Sequence, residues 1–145
     1  MSRAMNPLEI VRRVHSHVPY AQELGMEVLE ASRDAVLVAI PVNKALGGDT
    51  ERGWWSTGAM TSLIDSACGV ALHAHLGKYE PIATLDLRVD YLRPARSELP
   101  LRCRAECYRL TRSVAFLRAI AYQDDEKSPV AAVAASFMRL NSAAP

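Results

Sequence analysis

Apolar and polar positions alternate along this chain with three successive periods. Between Asn6 and Val18 the residues Ile10, Val11, Val14 and Val18 recur at steps of one, three and four, the spacing of one helix face. Asn6-Pro7-Leu8-Glu9 opens that stripe with an N-cap, a proline at the first helical position and a glutamate at the third. A helix is therefore predicted over 6–18, closed off by Pro19 and Gly25. Segments 26–29 and 35–41 are apolar and β-branched, with Ser32-Arg33-Asp34 between them, which predicts a strand pair. Segment 42–53 is rich in turn residues and poor in apolar ones, and reads as a loop.

The second period occupies 57–76. It has no proline and no β-branched run, and Met60, Leu63, Ile64, Ala67, Cys68, Ala71, Leu72 and Leu76 fall at helical spacing. Small residues fill most other faces, so the pattern predicts a long buried central helix with Gly77 as its C-terminal cap. The third period is two. Ala83, Leu85, Leu87, Val89 and Tyr91 alternate with Thr84, Asp86, Arg88 and Asp90. Further strands are predicted at 99–110, 113–123 and 130–140, with breaks at 93–97, 111–112 and 124–127. Gaps this short imply antiparallel neighbours. The fold class that results is α+β: a curled antiparallel sheet wrapped around one long central helix, as a single domain over 1–145.

Composition narrows the function. At 145 residues, half of them hydrophobic, the chain builds one real core. A net charge of +1 gives no global drive toward nucleic acid or a membrane surface. No segment is long and apolar enough to span a bilayer, and the first residues lack the apolar run of a signal peptide, so the expectation is a cytoplasmic protein. Cys103 and Cys107 lie on one face of a strand but too far apart to bridge; with Cys68 they are expected as reduced packing thiols. From Arg88 to Arg118 there are eight arginines against three acids. That is either a solvated outer sheet face or a place for a ligand with phosphates, whose oxygens match arginine forks.

The candidate chemistry centres on Asp65, the only formally charged residue between Arg52 and Lys78. An unpaired carboxylate on a buried helix is costly. Either it is a structural group bonded to Ser62, Ser66 or a backbone amide, or it faces a cleft and does chemistry there. Ser56, Thr57 and Gly58 open the same helix, where the first backbone N–H groups lack internal partners and carry the positive end of the dipole. An amide donor and a carboxylate along one groove suit acyl transfer to water. His15/His17 and His73/His75 are i, i+2 pairs on different sides of a helix, which argues against a joint metal site. Trp54 and Trp55 suit an acyl pocket or a subunit interface.

The runs STGAMTSLIDSACGVAL, ATLDLRVDYLRPA and RLTRSVAF together resemble the hotdog-fold acyl-CoA thioesterases of the PaaI-like branch. The resemblance covers roughly 53–140. In that family a His-Gly-Gly opens the central helix, and an Asp or Glu follows nine residues after the His; Ser56 to Asp65 has that spacing. Ser56 stands where the family has its His, Thr57 where it has the first Gly, and Thr50 where it has an upstream Asn. The resemblance implies that Asp65 is the general base or nucleophile and that the backbone amide at Thr57, followed by Gly58, polarises the thioester carbonyl. It implies that Thr84 is the hydroxyl offered by the partner subunit to the attacking water, and that Ser56 caps and orients the loop. Trp55, Thr50, Arg93, Arg96 and Arg112 are the expected substrate-binding residues. The implied substrate is an acyl-CoA with a small aromatic or short to medium aliphatic acyl group. No cofactor, metal, nucleic acid or membrane is implied. The implied assembly is a homodimer, often paired into a dimer of dimers. Two alternatives stand beside hydrolysis: an acyl-CoA-binding hotdog module without turnover, and a hotdog hydratase or dehydratase.

Overall fold

The computed structural model describes residues 5–140; the two ends of the single-domain span lie outside them. Asn6 caps helix α1 (Pro7–His15) through a complete capping box with Glu9. The helix is shorter than its apolar stripe. Pro19 forces the residue before it out of the helical region, and Val18 sits at φ −103°, ψ 98°. A short second helix, α2 (Pro19–Glu23), follows where only a break was expected. The segment read as a loop holds a 3₁₀ turn (Lys44–Leu46) and a small ribbon of β3 (Gly47–Asp49) with β4 (Trp54–Trp55). At Gly48 a Cβ would lie 2.9 Å from Ser56 Cα, so a glycine lets the ribbon press on the start of the next helix.

That helix, α3 (Thr57–Leu76), lies against a six-stranded antiparallel sheet. The strands are β1 (Glu27–Ala31), β2 (Val36–Ile40), β5 (Ile82–Tyr91), β6 (Leu101–Leu110), β7 (Val114–Tyr122) and β8 (Ala131–Arg139), in the order β1-β2-β6-β7-β8-β5. Leu63, Ile64, Cys68 and Leu72 of α3 are wholly buried, as are Val36, Val38, Ile40, Leu101, Cys103 and Leu117 of the sheet. Each large apolar side chain so removed from water stabilises the layer contact by about 1.5–3 kcal/mol. Gly77 caps α3 in the left-handed region at φ 68°.

Two features depart from the sequence patterns, and both shape the site. First, α3 is not closed all round. Thr57 and Gly58 are exposed, and Thr61, Ser62, Asp65, Ser66 and Gly69 are half-buried, one turn apart along a single open stripe. Asp65 is therefore not a buried carboxylate. Second, β5 does not alternate strictly. It pairs with β8 at Ala83↔Met138 and Thr84↔Phe137, then jumps to Asp86↔Ser136 and Leu87↔Ala135. The extra residue, Leu85, forms a bulge and is 52% exposed. The bulge inverts the parity ahead of it. Thr84, paired with buried Phe137, shares the inner face with Leu87, Val89 and Tyr91, whereas Ala83 and Leu85 leave the set to which period two assigned them.

Candidate active site

The open stripe of α3 meets β5 at two hydrogen bonds. Thr84 Oγ1 donates to Asp65 Oδ1 at 2.8 Å. Asp65 Oδ2 has no protein partner among the described residues. The expected bonds from Ser62, Ser66 or a backbone amide to Asp65 are absent there; Ser62 instead donates to Gly58 O at 2.9 Å. The hydroxyl that the resemblance assigned to the partner subunit reaches the carboxylate of its own chain. One turn toward the helix start, the Tyr91 hydroxyl bonds Thr61 Oγ1. Asp65 also lines a recess of about 170 Å³ together with Val14, His15, Val18, His73 and Phe137. Its charge, after burial itself, contributes to pushing the Cys68 thiol up to about 12.

The start of α3 is a separate locus. Ser56 is the N-cap, as expected, and its Oγ accepts from Gly58 N at 3.2 Å. The amide of Gly58 is thereby occupied, while the amide of Thr57 has no partner among the described residues. No non-glycine residue among those described has positive φ, so threonine in place of glycine at position 57 carries no left-handed strain. Thr57 opens on an apolar cleft of about 320 Å³ that Trp54, Met60, Tyr91, Leu92 and Pro94 help to line. Trp55 reaches its wall but is 4% exposed and anchored, its Nε1 donating to Leu99 O at 2.8 Å. Trp54, 37% exposed with Arg52 stacked 5.5 Å above it, is the more accessible indole. Thr50 is exposed in the turn between β3 and β4 and lines neither cavity.

The three proposed arginines do not converge. Arg93 lines the aromatic cleft and donates to Ser128 O. Arg96 is bridged to Trp54 through the backbone and pairs with Glu98. Arg112 lies in the β6–β7 turn, beyond the far end of a ten-residue strand that spans about 33 Å at 3.3 Å per residue. Within one chain, one nucleotide cannot touch all three. The histidines separate as their spacing implies: His15 Nε2 pairs with Met26 O, His17 Nδ1 with Arg13 O, His73 Nε2 with Glu80 O and His75 Nδ1 with Arg33 O. No group of three or more His, Cys, Asp or Glu among the described residues is arranged to hold a metal ion.

Thr61 and Tyr91 were not singled out from sequence as site residues. Two signals pointed to them. Thr57, Thr61 and Asp65 recur every four residues on α3, and Tyr91 closes the strand motif that carries Thr84.

The profile of the thioesterase superfamily matches residues 53–130. The chain is 27% identical over 135 residues to the medium/long-chain acyl-CoA thioesterase YigI of Escherichia coli K12, covering 84% of this chain and 86% of that protein. Among solved structures, a Pseudomonas aeruginosa protein is 40% identical, with a TM-score of 0.84 over 92% of this chain and 98% of that one. The phenylacetic acid degradation protein PaaI of Thermus thermophilus, solved as a point mutant, is 27% identical, with a TM-score of 0.71 over 83% and 98%.

Proposed function

The chain belongs to the thioesterase superfamily, and on that premise we propose that it hydrolyses acyl-CoA to a carboxylic acid and free coenzyme A thiol, with Asp65 as the essential carboxylate. The observation that carries this is the state of that carboxylate. One oxygen is held by Thr84 and the other is unpartnered in an open groove. As general base, Asp65 takes a proton from water while the water oxygen bonds the carbonyl carbon. The carbonyl electrons move onto an oxygen held by the Thr57 N–H, the C–S bond breaks, and the proton passes to the departing thiolate. As nucleophile, Asp65 forms an anhydride with loss of the thiolate, and water then cleaves the anhydride. Both routes require the ionised carboxylate.

Distance divides the machinery between two copies of the chain. Thr57 and Asp65 are eight residues apart on one helix, about 12 Å at 1.5 Å per residue. A reacting carbonyl needs its attacking group within about 3–3.5 Å and its oxyanion donor within about 3 Å. The Thr57 amide and aromatic cleft of one subunit are therefore completed by Asp65 of the partner subunit. The acyl group occupies the aromatic cleft, whose volume lies at the low end of the range of roughly 300–1,000 Å³ for small-molecule sites. That supports a small ring or a short to medium chain. Arg93 and Arg96 at the rim hold the phosphates of coenzyme A.

The test is a panel of benzoyl-, hexanoyl- and decanoyl-CoA assayed for free thiol. Thiol release is expected for at least one of them, and Asp65→Asn is expected to lower it by about a hundredfold or more. Wild-type turnover in Asp65→Asn removes the carboxylate assignment. Saturable binding by calorimetry without thiol release leaves a binding module instead. Hydration of crotonyl-CoA would identify a hydratase.

A further inference from the structure

We propose that Tyr91 is a positioning residue of this thioester site, acting through Thr61 on the backbone of Thr57. The inference rests on the thioesterase reading and adds to it a residue that does no chemistry itself. Thr61 Oγ1 has one proton, and it donates that proton to Thr57 O at 2.9 Å. The contact between Tyr91 and Thr61 must then run the other way, with the Tyr91 O–H donating to Thr61 Oγ1. The result is a directed chain, Tyr91 O–H to Thr61 O–H to Thr57 C=O. It ends on Thr57, whose own N–H is unpartnered and which is one of the residues lining the apolar cleft. Tyr91 lines that same cleft.

The chain has a physical purpose at this point of the helix. The first turn is where helices fray, because its N–H groups have no partners within the helix. A second donor on Thr57 O pins the helical torsions of Thr57, and so fixes where its N–H points. Hydrogen bonds in series also strengthen one another. Tyr91 shares the inner face of β5 with Leu87 and Val89, and the bulge at Leu85 brings Thr84 onto that same face.

An internal comparison separates this role from simple stapling. On the neighbouring row of the same stripe of α3 the pattern recurs: the Tyr20 hydroxyl meets Ser62 Oγ at 3.2 Å, and Ser62 donates to Gly58 O at 2.9 Å. That chain ends one residue later, on Gly58, whose amide is already taken by Ser56. Tyr20 is 60% exposed and Tyr91 48%, so the loss of either hydroxyl weighs little on folding. Positioning predicts unequal effects on turnover, whereas stapling predicts equal ones.

The experiment uses whichever coenzyme A ester of the panel is turned over fastest. Tyr91→Phe is expected to lower kcat roughly tenfold, below the hundredfold or more for removing an oxyanion donor outright, at unchanged KM and with the melting temperature held within about 2 °C. Thr61→Val should give the same loss, and the double variant no further loss, since both cut one chain. Tyr20→Phe should lose less than Tyr91→Phe. Wild-type kcat in Tyr91→Phe, multiplying losses in the double variant, or an equal or larger loss in Tyr20→Phe overturns the proposal. If Asp65→Asn is inactive while Tyr91→Phe is not impaired, only this inference fails; if the wild type releases no thiol from any ester, the thioesterase reading fails and takes this inference with it.

Discussion

Thr57 contributes a backbone group to the proposed chemistry, and that group can be removed without touching the fold. Position 57 is the first residue of α3, where proline is well tolerated because the N–H has no helical partner. The residue before it must be extended to accept a proline, and Ser56 already is, at φ −62° and ψ 131°. Thr57→Pro therefore deletes the oxyanion donor while keeping the helix start. Turnover should fall by about a hundredfold or more, as for other losses of an oxyanion donor, with little change in melting temperature. A variant that keeps wild-type turnover would show that the carbonyl oxygen is held elsewhere. Asp65 and Thr84 form the complementary half. The carboxylate stood out in the sequence by its isolation, but its setting did not, because apolar neighbours in sequence lie on other faces of the helix.

At the scale of elements, α3 and β5 show where sequence periodicity carries through and where it stops. The capping signals at Asn6, Ser56 and Gly77 and the succession of the main strands along the chain were legible, because each rests on local backbone chemistry or on a burial period. The short gap at 93–97, however, did not make neighbours of the strands it joins: β5 pairs with β8 across the sheet, not with β6. The bulge at Leu85 was not, since a leucine at that parity satisfies period two and only pairing with β8 reveals the extra residue. The ribbon of β3 and β4 was hidden in the same way, being made by pairing rather than by pattern. The separation of Arg112 from Arg93 and Arg96 likewise follows from strand length and direction, not from closeness in sequence. The contact between α3 and β6 buries two thiols, Cys68 and Cys103. Burial, with Asp65 as a second cause, raises Cys68 from 9.0 to about 12, and burial raises Cys103 as well. In the unfolded chain these thiols ionise near their ordinary value, so the folded state binds more protons above it. Stability is therefore full below about pH 9 and falls as the pH rises toward 12. Urea unfolding at pH 8, 9.5 and 11 should show that decline, and Cys68→Ala should flatten it. An equal decline in the variant would assign it to other groups.

Across the whole molecule, β5 forms one edge of the sheet, with Leu85 at 52% and Tyr91 at 48% exposure and Leu92 at 55% just beyond it. An open edge with exposed apolar residues is a surface on which a second copy can pair. Light scattering at micromolar concentration should give at least twice 15.9 kDa, and a monomer would remove both the dimer and the shared site. The distance between Thr57 and Asp65 also has a genetic reading. If each site draws its amide from one subunit and its carboxylate from the other, the two lesions are complementary. Thr57→Pro and Asp65→Asn protomers, each inert as a homodimer, would form upon subunit exchange a hybrid with one doubly damaged site and one intact site. Two dead parents should then yield up to about one quarter of wild-type activity, since random exchange makes half the dimers hybrid and each hybrid has one working site of two.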